Sequence, residues 1–308
     1  MDPEVREPVR RPTGPSRGEV LQGVASELEA AGLETPRVEA ERLISHALGI
    51  PRSDLVLHAG DRLQPEEAAA VARAVGRRLE REPLQHIEGT AAFRQLILVS
   101  DRRALIPRPE TEQLVDRIAE WLGDRAPVAR VLDIGTGSGA IALAMLTEGL
   151  AETVVGLDVS AAALAQAREN FVRSKVDPDR LELRECPVQI WPAVSPGARF
   201  DLIVSNPPYV RSSDLPDLPE EIHEFEPREA LDAGAEGLDV IRVIIAGSPA
   251  HLRSGGALFF EIGADQGSAV RDLFAREENF EGISITPDLA GRNRFAVARL
   301  KNSEPRGS

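Results

Sequence analysis

Along the first quarter of the chain, apolar residues return every three or four positions. Leu21, Val24 and Leu28 follow this spacing, as do Val38, Leu43, Ile44 and Leu48, and then Val71, Val75 and Leu79. That is the signature of helices burying one face. Pro36, Pro51 and Pro65 stand where helices start or break, and Gly32 and Gly49 suit C-terminal caps. The pattern predicts a small bundle of four or five helices over 18–84. Pro83 closes it, and an extended stretch follows with Gly89 at a turn and Phe93, Leu96 and Leu98 facing inward, which reads as a β-hairpin linker over 85–106.

From Pro107 the rhythm changes. Short β-rich runs (129–134, 153–158, 181–186, 200–205 and 257–262) alternate with helical segments near 138–149, 160–173, 237–252 and 265–277. Such alternation predicts an α/β domain over 107–301, a mostly parallel sheet covered by helices. Two final strands, 282–287 and 294–300, are joined by six residues, too few for a crossover helix, so they are expected to be antiparallel. These runs give a seven-stranded sheet. Residues 1–17 and 302–308, polar and without periodicity, read as tails.

Composition narrows the function classes. The chain has 308 residues, 42% of them hydrophobic, enough for sizeable cores, which excludes a wholly disordered chain. The longest apolar runs are far shorter than a membrane span, and the charged, Pro-rich N-terminus lacks a secretory apolar region. A cytoplasmic protein is expected. The single cysteine, Cys186, offers no disulfide or zinc cluster, and the five histidines show no metal spacing. A net charge of −14 argues against broad binding to a phosphate backbone.

The first α/β strand runs into Asp133-Ile134-Gly135-Thr136-Gly137-Ser138-Gly139, followed by a helix. Glycines there permit a tight turn and close approach of a ligand at the carboxyl end of a strand. The next strand ends at Asp158, 19 residues past Gly139, where a carboxylate can accept both hydroxyls of a ribose. Gly135, Gly137 and Ala140 also fit a dinucleotide fingerprint. Two details favour S-adenosylmethionine: Asp133 can meet the ammonium of a methionine moiety, and the third glycine comes one residue early for a dinucleotide loop.

The fourth strand, 200–205, runs directly into Asn206-Pro207-Pro208-Tyr209, 67 residues after Gly139. An amide or aromatic amine nitrogen is a poor nucleophile, because its lone pair is delocalised. The Asn206 side-chain oxygen and the Pro207 carbonyl, stiffened by two fixed φ angles, can each accept one of its protons and aim the lone pair at a methyl donor. Tyr209 can stack over the planar group. Asn206 to Tyr209 are the candidate catalytic residues, with no metal required.

With both motifs placed, the chain resembles the release-factor glutamine methyltransferases over nearly all its length outside the tails. The resemblance rests on IPRPETE at 106–112, DIGTGSGAIALA at 133–144, GLDVSAAAL at 156–164, SNPPYV at 205–210, EPREAL at 226–231, EIGADQG at 261–267 and DLAGRNR at 288–294. It implies a helical N-terminal domain that binds the release factor, a hairpin linker and a Rossmann-like class I methyltransferase domain. It further implies S-adenosylmethionine as cofactor and N5-methylation of the glutamine in the GGQ tripeptide of class I peptide chain release factors. A monomer without nucleic-acid or membrane partners is expected. Asp133, Gly135, Thr136, Gly137, Ser138, Gly139 and Asp158 would hold the cofactor, and Asn206 to Tyr209 the glutamine. Trp191, 15 residues before Asn206, matches the family's aromatic position beside the adenine, although Ile190 stands where an acid is frequent. A ribosomal-protein glutamine methyltransferase and a nucleic-acid amino-group methyltransferase (adenine N6 or guanine N2) are the alternatives.

Three weaker features remain. Pro109, Glu110 and Glu112 read as a helix start, although the resemblance places PRPETE, 107–112, near the active site. The acidic, Pro-rich stretch 211–236 is long for a plain connection and is expected to cover the substrate. Arg73, Arg77, Arg78 and Arg81 form a basic helix face.

Overall fold

The structure, a computed structural model, describes residues 14–194 and 197–302. Most of both expected tails lies outside these residues. The described chain divides into two compact units between Glu88 and Gly89.

The first unit is the expected helical bundle: α1 (Arg17–Ala30), α2 (Pro36–Leu48), α3 (Arg52–Leu57), α4 (Pro65–Leu79) and the short α5 (Leu84–Glu88). Ser16 and Glu19 form a reciprocal capping box at α1, so ordered structure begins inside the expected tail. Pro36 and Pro65 open α2 and α4, where a missing N–H costs nothing, and Gly49 closes α2 in the left-handed region. Leu21, Leu28, Leu43, Ile44, Leu55, Val71 and Val75 form its core. Val38 does not join them; it is exposed, and Ala40 takes the inward position. The basic face is mostly committed internally. Arg78 is buried against Glu39, Arg77 pairs with Glu82, and Arg81 reaches the Ala31 carbonyl.

The second unit opens with a hairpin, β1 (Thr90–Phe93) and β2 (Leu96–Val99), with Phe93 opposite Leu96. Its turn lies at Arg94, which has φ 52°, and not at Gly89, which lies before β1. The pattern missed this because a long basic side chain gives no turn signal. Arg94 is held there by Glu148 and Asp116. The segment before Gly89 is also helical (α5), where an extended chain was expected.

The chain then runs α6 (Pro109–Leu122), β3 (Val128–Ile134), α7 (Ala140–Thr147), β4 (Ala151–Asp158), α8 (Ala161–Ser174), β5 (Leu181–Glu185), α9 (Trp191–Val194) and β6 (Phe200–Ser205). It continues through α10 (Glu220–His223), α11 (Asp239–Gly247), β7 (Leu252–Glu261), α12 (Gly267–Ala275), β8 (Phe280–Pro287) and β9 (Asn293–Leu300). The seven-stranded sheet has the order β5-β4-β3-β6-β7-β9-β8. β5, β4, β3, β6 and β7 are parallel, and β9 pairs antiparallel with both β7 and β8, as the short connection required.

Alternate residues of the central strands feed two cores. Val131, Leu202 and Phe259 pack with α6 and α7, whereas Leu132, Ile203 and Leu258 pack with α11 and α12. Strands covered on both faces read as near-continuous apolar runs, and β3 and β6 do so apart from Arg130 and Asp133 in the first and Asp201 and Ser205 in the second. The first strand of the sheet, β3, has β4 on one side and β6 on the other, so the chain reverses direction across the sheet at its carboxyl end. Ligands bind at such a switch point. Register aligns Ile134 with Leu157 and Ser205, and Ser205 with Phe260, so the residues that follow these four meet on one rim.

Candidate active site

The glycine loop leaves β3 through three left-handed positions, Gly135 at φ 72°, Gly137 at 55° and Gly139 at 82°. A side chain at any of them is strained. Two acids fix the loop. Asp133 is fully buried and its Oδ2 accepts the Thr136 hydroxyl at 2.7 Å. Asp158 accepts the Gly137 N–H at 2.8 Å and the Ser160 N–H at 2.9 Å. Asn170 of α8 braces the far side, donating to the Ser138 carbonyl at 2.9 Å while accepting the Val99 N–H.

Burial raises the pKa of both acids. Asp133 is pushed up to about 7, with the negative charge of Asp158 adding to the effect. Asp158 is raised in turn, again mainly by burial. Asp133 Oδ1 is buried without a hydrogen-bond partner. A buried acid with an idle oxygen beside a glycine loop suits a cationic ligand, whose charge would draw the pKa back down.

A cavity of about 320 Å³ opens beside this loop. Its wall includes Gly135, Thr136, Gly137, Ser138, Asp158, Trp191, Asn206, Pro207 and Pro208. Three predicted residues do not line it. Asp133 lies beneath the loop and acts through Thr136. Gly139 packs so closely on α8 that a Cβ there would stand 3.3 Å from Ala167 Cβ. Tyr209 packs against the core near Arg294, whose guanidinium lies 5.7 Å from the ring, so the wall does not show it poised to stack on a planar ligand. Its carbonyl is held instead by Gln266 Nε2 at 2.9 Å. Trp191 is both core and wall: it is 1% exposed and its ring lies 4.8 Å from that of His251.

Asn206 follows β6 directly and donates through Nδ2 to Thr111 Oγ1 at 3.1 Å. Pro207 is buried beside it. Thr111 sits in the first turn of α6, whose Pro109, Glu110 and Glu112 start the helix as expected. The helix-start reading was thus correct but incomplete, since it passed over the one residue of that turn that reaches Asn206. The 211–236 stretch contributes Pro227, Glu229, Ala230 and Asp232 to the wall and is anchored by Glu226, buried against Arg108 at 2.5 Å. Cys186, also in the wall, is buried, and burial raises its thiol pKa. Among the described residues no group of His, Cys, Asp and Glu could hold a metal, and no helix is long and apolar enough to cross a membrane.

A PrmC N-terminal domain model matches residues 19–89 and a methyltransferase domain model matches 131–225. A release factor glutamine methyltransferase of Cereibacter sphaeroides is 42% identical over 92% of this chain and 98% of its own length. That of Geobacter sulfurreducens is also 42% identical, over 91% and 95%. The chain belongs to the release factor glutamine methyltransferase family. Another release factor glutamine methyltransferase, from Deinococcus radiodurans, is 38% identical over 91% of this chain and 97% of its own. Among solved structures, a methyltransferase of Pyrococcus furiosus aligns at 17% identity and a TM-score of 0.49, covering 69% of this chain and 92% of that one.

Proposed function

We propose that this protein transfers a methyl group from S-adenosylmethionine to the side-chain amide nitrogen of the GGQ glutamine in class I peptide chain release factors. Family membership supports the reaction, and one observation carries the placement: Asn206 and Pro207 stand at the carboxyl end of β6, in the wall of the same cavity as the glycine loop.

The donor assignment rests on charge. Asp133 and Asp158 are buried acids at the loop, and Asp133 has an oxygen without a partner. The cationic S-adenosylmethionine is attracted there, whereas a dinucleotide pyrophosphate is repelled. When bound, S-adenosylmethionine supplies an electrophilic methyl group. Asp133, through Thr136, and Asp158, through the Gly137 N–H, hold the loop in shape, and Asp158 keeps lone pairs for ribose hydroxyls. Trp191 gives an apolar wall for the adenine.

Asn206 Oδ1 and the Pro207 carbonyl each accept one proton of the substrate carboxamide. Two acceptors at fixed angles favour a pyramidal nitrogen with its lone pair free. Neither residue has to remove a proton before attack, because the nitrogen becomes acidic only once alkylated. The helical unit, 18–84, binds the release factor, 85–106 links it to the methyltransferase unit, 107–301, and a monomer acts in the cytoplasm without nucleic-acid or membrane partners.

Mass spectrometry of a recombinant release factor after incubation with the protein and S-adenosylmethionine tests this reading. One added methyl on the GGQ peptide is the expected result. Label in a ribosomal protein, rRNA or DNA, with none on the release factor, overturns it.

A further inference from the structure

Asn206 serves as an acceptor only if its amide oxygen, and not its NH2, faces the substrate. The two ends of a carboxamide are nearly equal in shape, so packing alone does not choose between them. Here Nδ2 lies on Thr111 Oγ1 at 3.1 Å. A hydroxyl can both accept and donate, and so chooses an orientation only when its own proton is committed elsewhere.

The register places such a partner on the rim. Ser205 pairs with Phe260, so the next residue of β7, Glu261, stands beside Asn206. Glu261 is 1% exposed and its Oε1 is buried with no hydrogen-bond partner. Burial pushes its pKa up to about 7, and the Thr111 hydroxyl is near enough to draw it back down. Thr111 is itself 4% exposed, so water does not compete freely for its proton.

We infer that Thr111 and Glu261 are positioning residues. The Thr111 hydroxyl gives its proton to the Glu261 carboxylate, can then only accept from Asn206, and so fixes the Asn206 amide with Oδ1 toward the substrate nitrogen. Neither residue touches the reacting atoms. The inference rests on the catalytic role proposed for Asn206 and adds the reason its orientation is single-valued.

A double-mutant cycle on the full-length protein tests it, read as methylation of a recombinant release factor. Thr111→Val keeps the shape and removes the hydroxyl. It lowers kcat roughly ten- to a hundredfold, on the scale of a misoriented contact, with S-adenosylmethionine affinity and melting temperature little changed, and Thr111→Ser restores most of the activity. In an Asn206→Ala background Thr111→Val has no further effect, whereas a merely structural role adds its full cost. Wild-type kcat in Thr111→Val, or additive losses, overturns the inference. If Thr111→Val does not fold, the wild-type protein decides. In its NMR spectrum the Asn206 NH2 exchanges slowly with solvent if it is held, and fast exchange refutes the relay. A wild-type protein that leaves the release factor unmethylated instead refutes the proposed function.

Discussion

In the proposed function Asn206 and Asp133 perform opposite tasks with the same kind of atom: Asn206 offers a neutral oxygen to a substrate proton, and Asp133 offers a charge to the loop and its ligand. Asn206→Ala therefore lowers turnover by about 3 kcal/mol of barrier, on the scale of losing one oriented polar group, with cofactor affinity little altered; steady-state kinetics beside calorimetric titration separates the two. Asp133, with a pKa of about 7, is partly protonated at neutral pH. A cation prefers its ionised form, so cofactor affinity rises as pH rises through 7, and binding releases protons. Asp133→Asn weakens binding and flattens that pH dependence, which titration in buffers of different ionisation enthalpy detects.

At this scale the sequence was legible wherever a residue type is rare in its context. Glycines in series and a Pro-Pro step after a strand stand out, and they led to the cavity wall. Thr111 and Glu261 lie in segments that the family resemblance marked, yet neither stood out as a residue, nor did Asn170, because threonine, glutamate and asparagine are common on helices and strand ends. Their importance comes from neighbours 95 and 71 residues away in sequence for Thr111 and Asn170, which periodicity does not see.

Among the elements, alternation fixed the order of strands and helices but not every join. The strand 200–205 was legible to the residue, because a strand covered on both faces is a near-continuous apolar run, here broken only by Asp201 and Ser205. The hairpin turn at Arg94 was not, because its left-handed backbone is held by Glu148 and Asp116 and not by a glycine. One glycine inside a strand has a definite packing task. A Cβ on Gly156 of β4 would stand 2.8 Å from Leu183 Cδ2 and 3.0 Å from Thr136 Oγ1. Gly156→Ala therefore pushes on the glycine loop from below. It is expected to destabilise the fold by about 1–3 kcal/mol and to weaken cofactor binding, measured by thermal melting with and without S-adenosylmethionine.

For the whole molecule, buried acids with raised pKa set the pH response, Asp158 among them. Asp133, Glu226 and Glu261 each have a pKa of about 7 when folded, chiefly through burial. The folded protein thus holds protons that the unfolded chain has released. Stability contributed by these groups falls as pH rises from their ordinary range near 4 up to about 7. Carboxylates with lowered pKa, such as Asp232, hydrogen-bonded by Ser212, work the other way, but their gain is complete by about pH 5. The ligand-free protein is accordingly expected to melt higher at pH 5.5 than at pH 7.5, by calorimetry; the reverse order refutes the balance. The two units have separate cores, so Leu43→Ala, at a fully buried site, costs the helical unit about 2–5 kcal/mol and leaves cofactor affinity unchanged.

Strand β9 lies between β7 and β8 although it follows both in the chain. While β9 is being synthesised, β7 has a bare edge and β8 has no sheet neighbour to hold it. Folding of the larger unit is therefore gated by its latest-made strand, and an interruption of synthesis just before Asn293 leaves an adhesive edge open to other chains.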